Sequence, residues 1–459
     1  CASLCRYSYD LGCQDGLTRG GSVLDRNVPQ PWAARTTLVL TLTLVAIALG
    51  NLQRMPFLLG EHGGAVFFLL YSLALCVLSV PILIAEVVVG SYGRASPHRA
   101  MEWAASNANV NPYWRFLGLA QGLLGLLVAS VAMLFAVWCF DRATVIHSGA
   151  MASGSPAEVA SNYLSAMNDR AGQLTKALIG LAAAGALSAM GIRLGMGVLG
   201  WIVLPGVAIT LLGVLDYVVL QTDLQPVSAF LFAYDGKQWG IEAARQAFIS
   251  AGVTLGAGLG IAMALGAQAP QGLPWARSVI AVAILDTAFL IVTAIIASAL
   301  LFEVNVAPSE GLAAVFIALP YAFVNLPMGE IYGTLFFSAL AAIAWSAASI
   351  LMEPTVLLLK QVAGRPGGAI LAATLAVLIA SMLLFSSDAT LVRVSMMLGE
   401  WLLPLSLLST ALFVGWQMPR PILRGELYRE PLWLFRLWWW IVRWMVPPAC
   451  VAWLVSGLL

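Results

Sequence analysis

The sequence is short of charge. Only 10% of its residues are Asp, Glu, Lys or Arg, and the 23 basic and 22 acidic side chains nearly cancel to a formal net charge of +1. An average soluble domain carries about 25% charge, so this chain cannot present the surface of one. Its scattered cations form no basic face for a nucleic acid. Histidine is scarcer still: His62, His98 and His147 are the only three. They fall in loops or interfaces, without the nucleophile or metal-ligand spacing that an enzyme would need, so no catalytic role is expected. The six cysteines divide between a polar leading stretch (Cys1, Cys5, Cys13) and apolar runs (Cys76, Cys139, Cys450). They lack paired C-x-x-C spacing, which argues against a metal site, and a lone thiol in an apolar run behaves as a small hydrophobe.

What remains is apolar. Of the 459 residues 61% are hydrophobic, and the mean hydropathy is +0.89, which marks a polytopic membrane protein. Apolar runs reach the roughly 20 residues that cross a bilayer, and their periodicity is helical rather than the alternation of barrel strands. Eleven spans are expected, at 36–59, 64–89, 116–140, 173–191, 196–220, 247–267, 278–301, 331–359, 368–385, 391–416 and 433–454. With the first residue inside, the loop cations left outside are Arg142, Arg170, Lys176, Lys237, Arg245 and Arg393. That asymmetry predicts a cytoplasmic N-terminus and an outer C-terminus in an inner membrane, with Trp433, Trp438, Trp439, Trp440 and Trp444 anchoring the inner interface. No N-x-[ST] acceptor occurs in a loop placed outside, which favours a bacterial chain. Residues 1–31 read as a cytoplasmic tail, either native or an artefact of a gene boundary, with no apolar core of a signal peptide. Residues 32–459 form a single membrane domain.

Two spans differ from the rest. The first carries Gly50 and Asn51 within ALGNLQRMPF, and the sixth carries VTLGAGLG, 253–260, with glycines at alternate positions. Glycine is costly inside a helix and favours a break, although close helix packing accounts for many glycine motifs in membranes. These two spans stand first in successive sets of five, and interrupted segments at matching positions point to a transport site built from an inverted repeat. Broken backbone at membrane depth must be buried or line a wet cavity, where it offers carbonyls to a cation and amides to an anionic group. The outer loop 303–330, containing GLAAVFIALPYAF, is apolar enough for a short helix pair dipping toward the membrane as a lid.

Ionisable side chains inside spans are Arg54, Glu86, Asp216, Asp286, Glu353 and Glu400. Asp286 lies about eight residues into its span, where an unpaired carboxylate costs roughly 2.5–3.5 kcal/mol. A proton, an arginine or a bound cation must offset that cost, and a protonated Asp bonded to a neighbouring helix is the plainer alternative. Asn51, Thr254 and Asp286 offer hard oxygen ligands suited to an alkali cation.

These residues resemble the neurotransmitter:sodium symporters, whose bacterial members include the leucine transporter. WAARTTLVLTLTLVAIALGNLQRMPF is similar to the family's first helix, and GEHGGAVFFLLYSLALCVLSVPILIAEVVVGSYGR to its second. TLGAGLGIAMALG resembles the broken sixth helix, AILDTAF the seventh, WSAASILMEP the eighth and VRWMVPPACVAWL the eleventh. The resemblance covers Trp32 to the C-terminus and implies an all-α leucine-transporter fold. Repeat 1 would run over about 36–220, repeat 2 over about 247–416, with an extra helix at about 433–454 and alternating access around a midplane site.

By the resemblance, a first sodium site would use Ala46, Asn51, Thr254 and Asp286. A second would use the carbonyls of Leu44, Ile47 and Ile343 with the hydroxyl of Ser346, and it loses one ligand because Ala347 replaces a hydroxyl or carboxylate. The substrate wall would be Val45, Ala46, Leu49, Gly50, Val128, Ala132, Val253, Thr254, Gly256, Leu259 and Leu351. Ala132 stands where the family has a carboxylate-binding tyrosine, and Val45 where it has an asparagine. That suits a bulky hydrophobic substrate, or one without the usual amino-acid headgroup. Chloride-dependent members have Gln and Ser where this chain has Ser250 and Leu290, although Tyr71 remains, so Asp286 is expected to supply the fixed negative charge. Arg54 matches the outer-gate arginine, whose aspartate falls near Arg393 with Asp388 as a displaced partner. On the inner side the gate arginine aligns with Pro29 and its aspartate with Gln361, leaving Trp32. Glu86 is expected to accept from free amides of the broken sixth helix.

The reading is a sodium-coupled, chloride-independent symporter of a small organic substrate, an amino acid or amine. Its partners are that substrate and the bilayer, sodium is its only cofactor, and it is a monomer or homodimer. The alternatives are a non-transporting receptor on the same fold and a proton-coupled carrier using Asp286.

Overall fold

The computed structural model describes residues 35–49, 54–149, 155–232, 240–306, 311–386, 393–394 and 396–456. Among them every regular element is helical. The first span appears as α1 (Arg35–Leu49) and α2 (Met55–Glu61), with 50–53 between them outside the described residues. Then follow α3 (Ala65–Gly93), α4 (Pro97–Asn107), α5 (Pro112–His147), α6 (Arg170–Ala189) and α7 (Ile192–Gln221). The sixth span is two helices, α8 (Ile241–Thr254) and α9 (Ile261–Gln268), and α10 (Trp275–Glu303) follows. The rest comprises α11 (Ala314–Val324), α12 (Gly329–Leu351), α13 (Glu353–Phe385), α14 (Met397–Gln417) and a final helical run, α15, over 432–456. Seven of these, α3, α5, α7, α10, α12, α13 and α14, are long and apolar enough to cross a membrane.

Two boundaries differ from expectation. The eighth span stops at Leu351 rather than continuing to 359. Pro354, in the first turn of α13, has no N–H to return to Ile350, so the chain turns at Met352 before the helix restarts. α13 then kinks at Gly364, whose φ of 69° lies in the left-handed region. The loop expected as a helix pair holds one helix among its described residues, α11. The ring of Phe316 fixes it: wholly buried, it meets Phe135, Trp138 and Tyr163 at centroid distances of 5.4, 6.0 and 6.1 Å.

The broken sixth span sits against α3. A Cβ on Gly90 would overlap the Met263 carbonyl, and one on Gly266 would come within 2.5 Å of the Val87 carbonyl, so glycine on both sides lets the two backbones touch. Before its Pro81, α3 widens into a π-turn at Leu75–Ser79. There the Ser79 hydroxyl donates to the Ala251 carbonyl at 2.5 Å, and Trp438 Nε1 of α15 donates to the Pro81 carbonyl at 2.9 Å. Bulges of this kind satisfy backbone groups that a proline or a neighbouring break has freed.

Candidate functional site

The site begins at the gap between α8 and α9. Gly256, Gly258 and Gly260 all have positive φ, at 69°, 83° and 69°, a conformation that glycine alone adopts without strain. The alternation in TLGAGLG is therefore a backbone requirement. One residue of the gap is held through both of its backbone polar groups: Gly258 N–H donates to Glu86 Oε1 at 2.9 Å, and Ser406 Oγ donates to the Gly258 carbonyl at 2.7 Å. Gln121 of α5 ties these supports together. Its Nε2 lies 3.2 Å from Glu86 Oε1, 3.1 Å from Ser406 Oγ and 2.8 Å from Thr410 Oγ1. Sequence reasoning anticipated Glu86 in this role but missed Gln121, Ser406 and Thr410. Their only signal was polarity within apolar spans, which serines and threonines bonded to their own helix share.

At the end of α8, the Thr254 hydroxyl donates to Asp286 Oδ2 of α10 at 3.0 Å, with both residues buried. The Tyr71 hydroxyl is buried beside this pair. Deep in a bilayer, a carboxylate and two hydroxyls beside a helix terminus offer hard oxygen ligands of the kind that take a small cation. Asn51 and Gly50 lie outside the described residues. Ala46 and Ile47 lie in the last described turn of α1, and Leu44 lies deeper. Ser346, on α12 packed against α1, is wholly buried with its Oγ unpartnered, and Ile343 lies one turn before it. A buried hydroxyl with no partner fits a cation ligand.

Of the residues expected to form the substrate wall, Val45, Leu49, Gly256, Leu259 and Leu351 make close approaches around the gap. A Cβ on Gly256 would lie 3.1 Å from Val45 Cγ1 and 3.3 Å from Leu49 Cδ1. One on Gly125 would lie 2.8 Å from the Leu259 carbonyl and 3.3 Å from that of Leu351. Val128 and Ala132 follow Gly125 at helical spacing on the same face of α5 and, like Val253, are half-buried.

Both ends of the bundle carry polar closures. Arg54 donates to Gln246 Oε1 at 2.7 Å, bridging the start of α2 to α8; Asp388 lies outside the described residues, as do Pro29 and Trp32 at the other end. At that end Gln361 donates to Ser96 Oγ at 2.9 Å. A larger network, which the sequence did not reveal, surrounds Glu353. Arg365 reaches Glu353 at 2.7 Å, Gln268 Oε1 at 3.2 Å and the Ser188 carbonyl at 2.9 Å. Ser188 Oγ and Gln268 Nε2 donate to Glu353 at 2.9 and 3.0 Å. The network joins α6, α9 and both sides of the Gly364 kink. Nearby, Arg94 donates to the Ala269 carbonyl at 2.5 Å, and Ser91 donates to Glu426 at 2.7 Å. Burial lowers the Arg94 pKa while the charge of Glu426 opposes that shift. Burial raises the Glu426 pKa against the Ser91 bond and the Arg94 charge.

Comparison with known proteins agrees with this geometry. The sequence model of the sodium:neurotransmitter symporter family matches residues 29–142. An uncharacterized sodium-dependent transporter of Haemophilus influenzae is 24% identical over 343 residues, covering 72% of this chain and 74% of its own length. Another, from Methanocaldococcus jannaschii, is 23% identical over 448 residues, covering 91% and 88%. The crystal structure of MhsT in complex with L-phenylalanine superposes with a TM-score of 0.82 at 24% identity, over 93% of this chain and 99% of that one. These relatives are carriers rather than enzymes, and the superposition gives the leucine-transporter fold. The chain thus matches the sodium:neurotransmitter symporter family over 29–142, is similar along most of its length to sodium-dependent transporters, and shares the multi-pass fold of MhsT.

Proposed function

We propose that this protein is a sodium-coupled symporter that moves a small organic substrate, an amino acid or amine, by alternating access. It would sit in an inner membrane with the arginine-rich loops in the cytoplasm. The observation that carries the reading is Asp286, a buried carboxylate bonded to Thr254 where the sixth span breaks. A sodium ion there would be cargo, held by Thr254, Asp286 and the carbonyl of Ala46. Its charge would offset the cost of an ionised carboxylate at membrane depth. The names of the relatives, sodium-dependent transporters, support the same ion.

The substrate reading follows from the wall. Val45, Leu49, Val128, Leu259 and Leu351 favour an apolar side chain, and the phenylalanine bound by MhsT is of that kind. Ala132 leaves no phenol to hold a substrate carboxylate, so an amine or a bulky neutral amino acid fits best. Asp286 would supply the fixed charge that chloride supplies elsewhere, which makes transport independent of chloride. Movement would separate the Arg54–Gln246 closure from the Arg365–Glu353 closure in turn, with Gly258 held by Glu86 and Ser406 as the pivot.

The deciding experiment is uptake into liposomes against a panel of amino acids and amines, driven separately by sodium, proton and chloride gradients. Sodium-driven counterflow of one panel member, unchanged when chloride is replaced by gluconate, is expected. Uptake that follows only the proton gradient would assign Asp286 to proton carriage, and binding without counterflow would make the protein a sensor.

A further inference from the structure

We infer that a cleft between α5 and α14 binds an uncharged lipid bearing a hydroxyl group, and that its occupant steadies the gap in the sixth span. The cleft has a volume of about 840 Å³, within the range of small-molecule pockets. Trp114, Phe116, Leu117, Leu124, Leu402 and Leu405 form its apolar wall, while Gln121, Ser406 and Ser409 are among its polar members. It opens toward lipid rather than water, because Phe116 and Leu405 are 48% and 51% exposed on two membrane-length helices. Its lining runs along α5 from Tyr113 to Leu127, a length of about 21 Å at the helical rise of ~1.5 Å per residue, so its occupant is elongated.

Two observations set the chemistry. No Asp, Glu, Lys or Arg lines the cleft, and the adjacent Arg115 is paired with Glu102 at 3.1 Å; an ionised headgroup would find no counter-charge inside. Gln121 is wholly buried, and its Oε1 accepts from nothing although its Nε2 is fully engaged. A buried acceptor without a donor is costly, and a ligand O–H would satisfy it. The same Gln121 bonds Glu86 and Ser406, the two residues that hold Gly258. An occupant that orders Gln121 therefore also orders the gap.

The test uses the purified full chain in nanodiscs and a long-chain alcohol carrying a photoactivated diazirine, with labelled peptides mapped by mass spectrometry. Labelling is expected to concentrate on 112–127 and 402–409 and to fall in Leu405→Trp, a lipid-facing change that narrows the cleft with little risk to folding. The unlabelled alcohol should compete about fivefold better than its methyl ether, the size of one neutral hydrogen bond, and the matching fatty acid should compete poorly. The alcohol should also slow hydrogen exchange at 256–260 in the wild type but not in Leu405→Trp. Labelling spread over all lipid-facing helices, or indifferent to Leu405→Trp, overturns the site. Equal competition by the ether or the acid overturns the chemical class, and unchanged exchange overturns the link to the gap. None of these readouts depends on uptake, so they stand apart from the sodium-transport reading.

Discussion

Glu86 on α3 and Ser406 on α14 grip the two peptide groups that flank one glycine Cα, the Gly258 N–H at 2.9 Å and the Gly258 carbonyl at 2.7 Å. Glu86→Ala would leave the Gly258 N–H buried and would remove one of the acceptors around the Gln121 amide. The expected loss is about 1–3 kcal/mol of stability for one orphaned backbone N–H, with transport abolished. Glu86→Gln keeps a carbonyl oxygen for the Gly258 N–H and should lose less than half as much. Thermal unfolding of the detergent-purified variants checks this; an alanine variant as stable as the parent would show that the gap does not need its clamp.

Asp286 and Thr254 define the second prediction. A ligand that binds only the folded state stabilises it by about 2.7 kcal/mol when present at 100 times its dissociation constant. Sodium, with potassium as the ionic-strength control, should therefore raise the melting temperature of the parent but not of Asp286→Asn or Thr254→Val. Asn retains the size and hydrogen-bonding capacity of the side chain at 286, so it separates charge from packing. A full sodium response in Asp286→Asn would remove the carboxylate from the cation site.

Much of this architecture was legible in the sequence because the bilayer allows few solutions. Glycines at 256, 258 and 260 could not sit quietly in a helix, and their positive φ values show why. Asp286 needed a partner at depth, and Thr254 is close enough to be one. The inner closure was not legible. Glu353 stood out as a charge within a span, but its partner Arg365 lies beyond a kink whose direction depends on the left-handed conformation of Gly364. Likewise the cleft between α5 and α14 depends on how two helices far apart in the chain diverge, which periodicity within either helix does not encode.

Glu426 gives a pH prediction. Its pKa is raised above the usual 4.5, chiefly by burial. A carboxyl whose folded pKa exceeds its unfolded pKa stabilises most below the unfolded value, and that contribution is lost as pH climbs through the folded one. Relative to the parent, Glu426→Gln should therefore gain stability as pH rises from about 4.5 toward neutrality, because the glutamine never ionises. The quantity to measure is the difference in melting temperature between the two proteins across that window. A difference that shrinks or stays flat would mean that Ser91 and Arg94 fully compensate the buried charge.

Glu353 and Arg365 pose the sharpest energetic question, since Glu353 is fully buried and the Arg365 side chain is 18% exposed. Removing one partner of such a pair strands the other's charge, at a cost of about 3–5 kcal/mol, whereas replacing both by neutral groups is often tolerated. Arg365→Gln is expected to destabilise strongly because Glu353 keeps only the Ser188 and Gln268 donors. Adding Glu353→Gln should recover most of the loss. The double variant would then be folded but without the ionic closure between α9 and the Gly364 kink. If that closure holds one face shut, the double variant should admit thiol reagents to a cysteine placed at Ala269 faster than the parent does. Equal labelling rates in a well-folded double variant would reduce the pair to a structural contact.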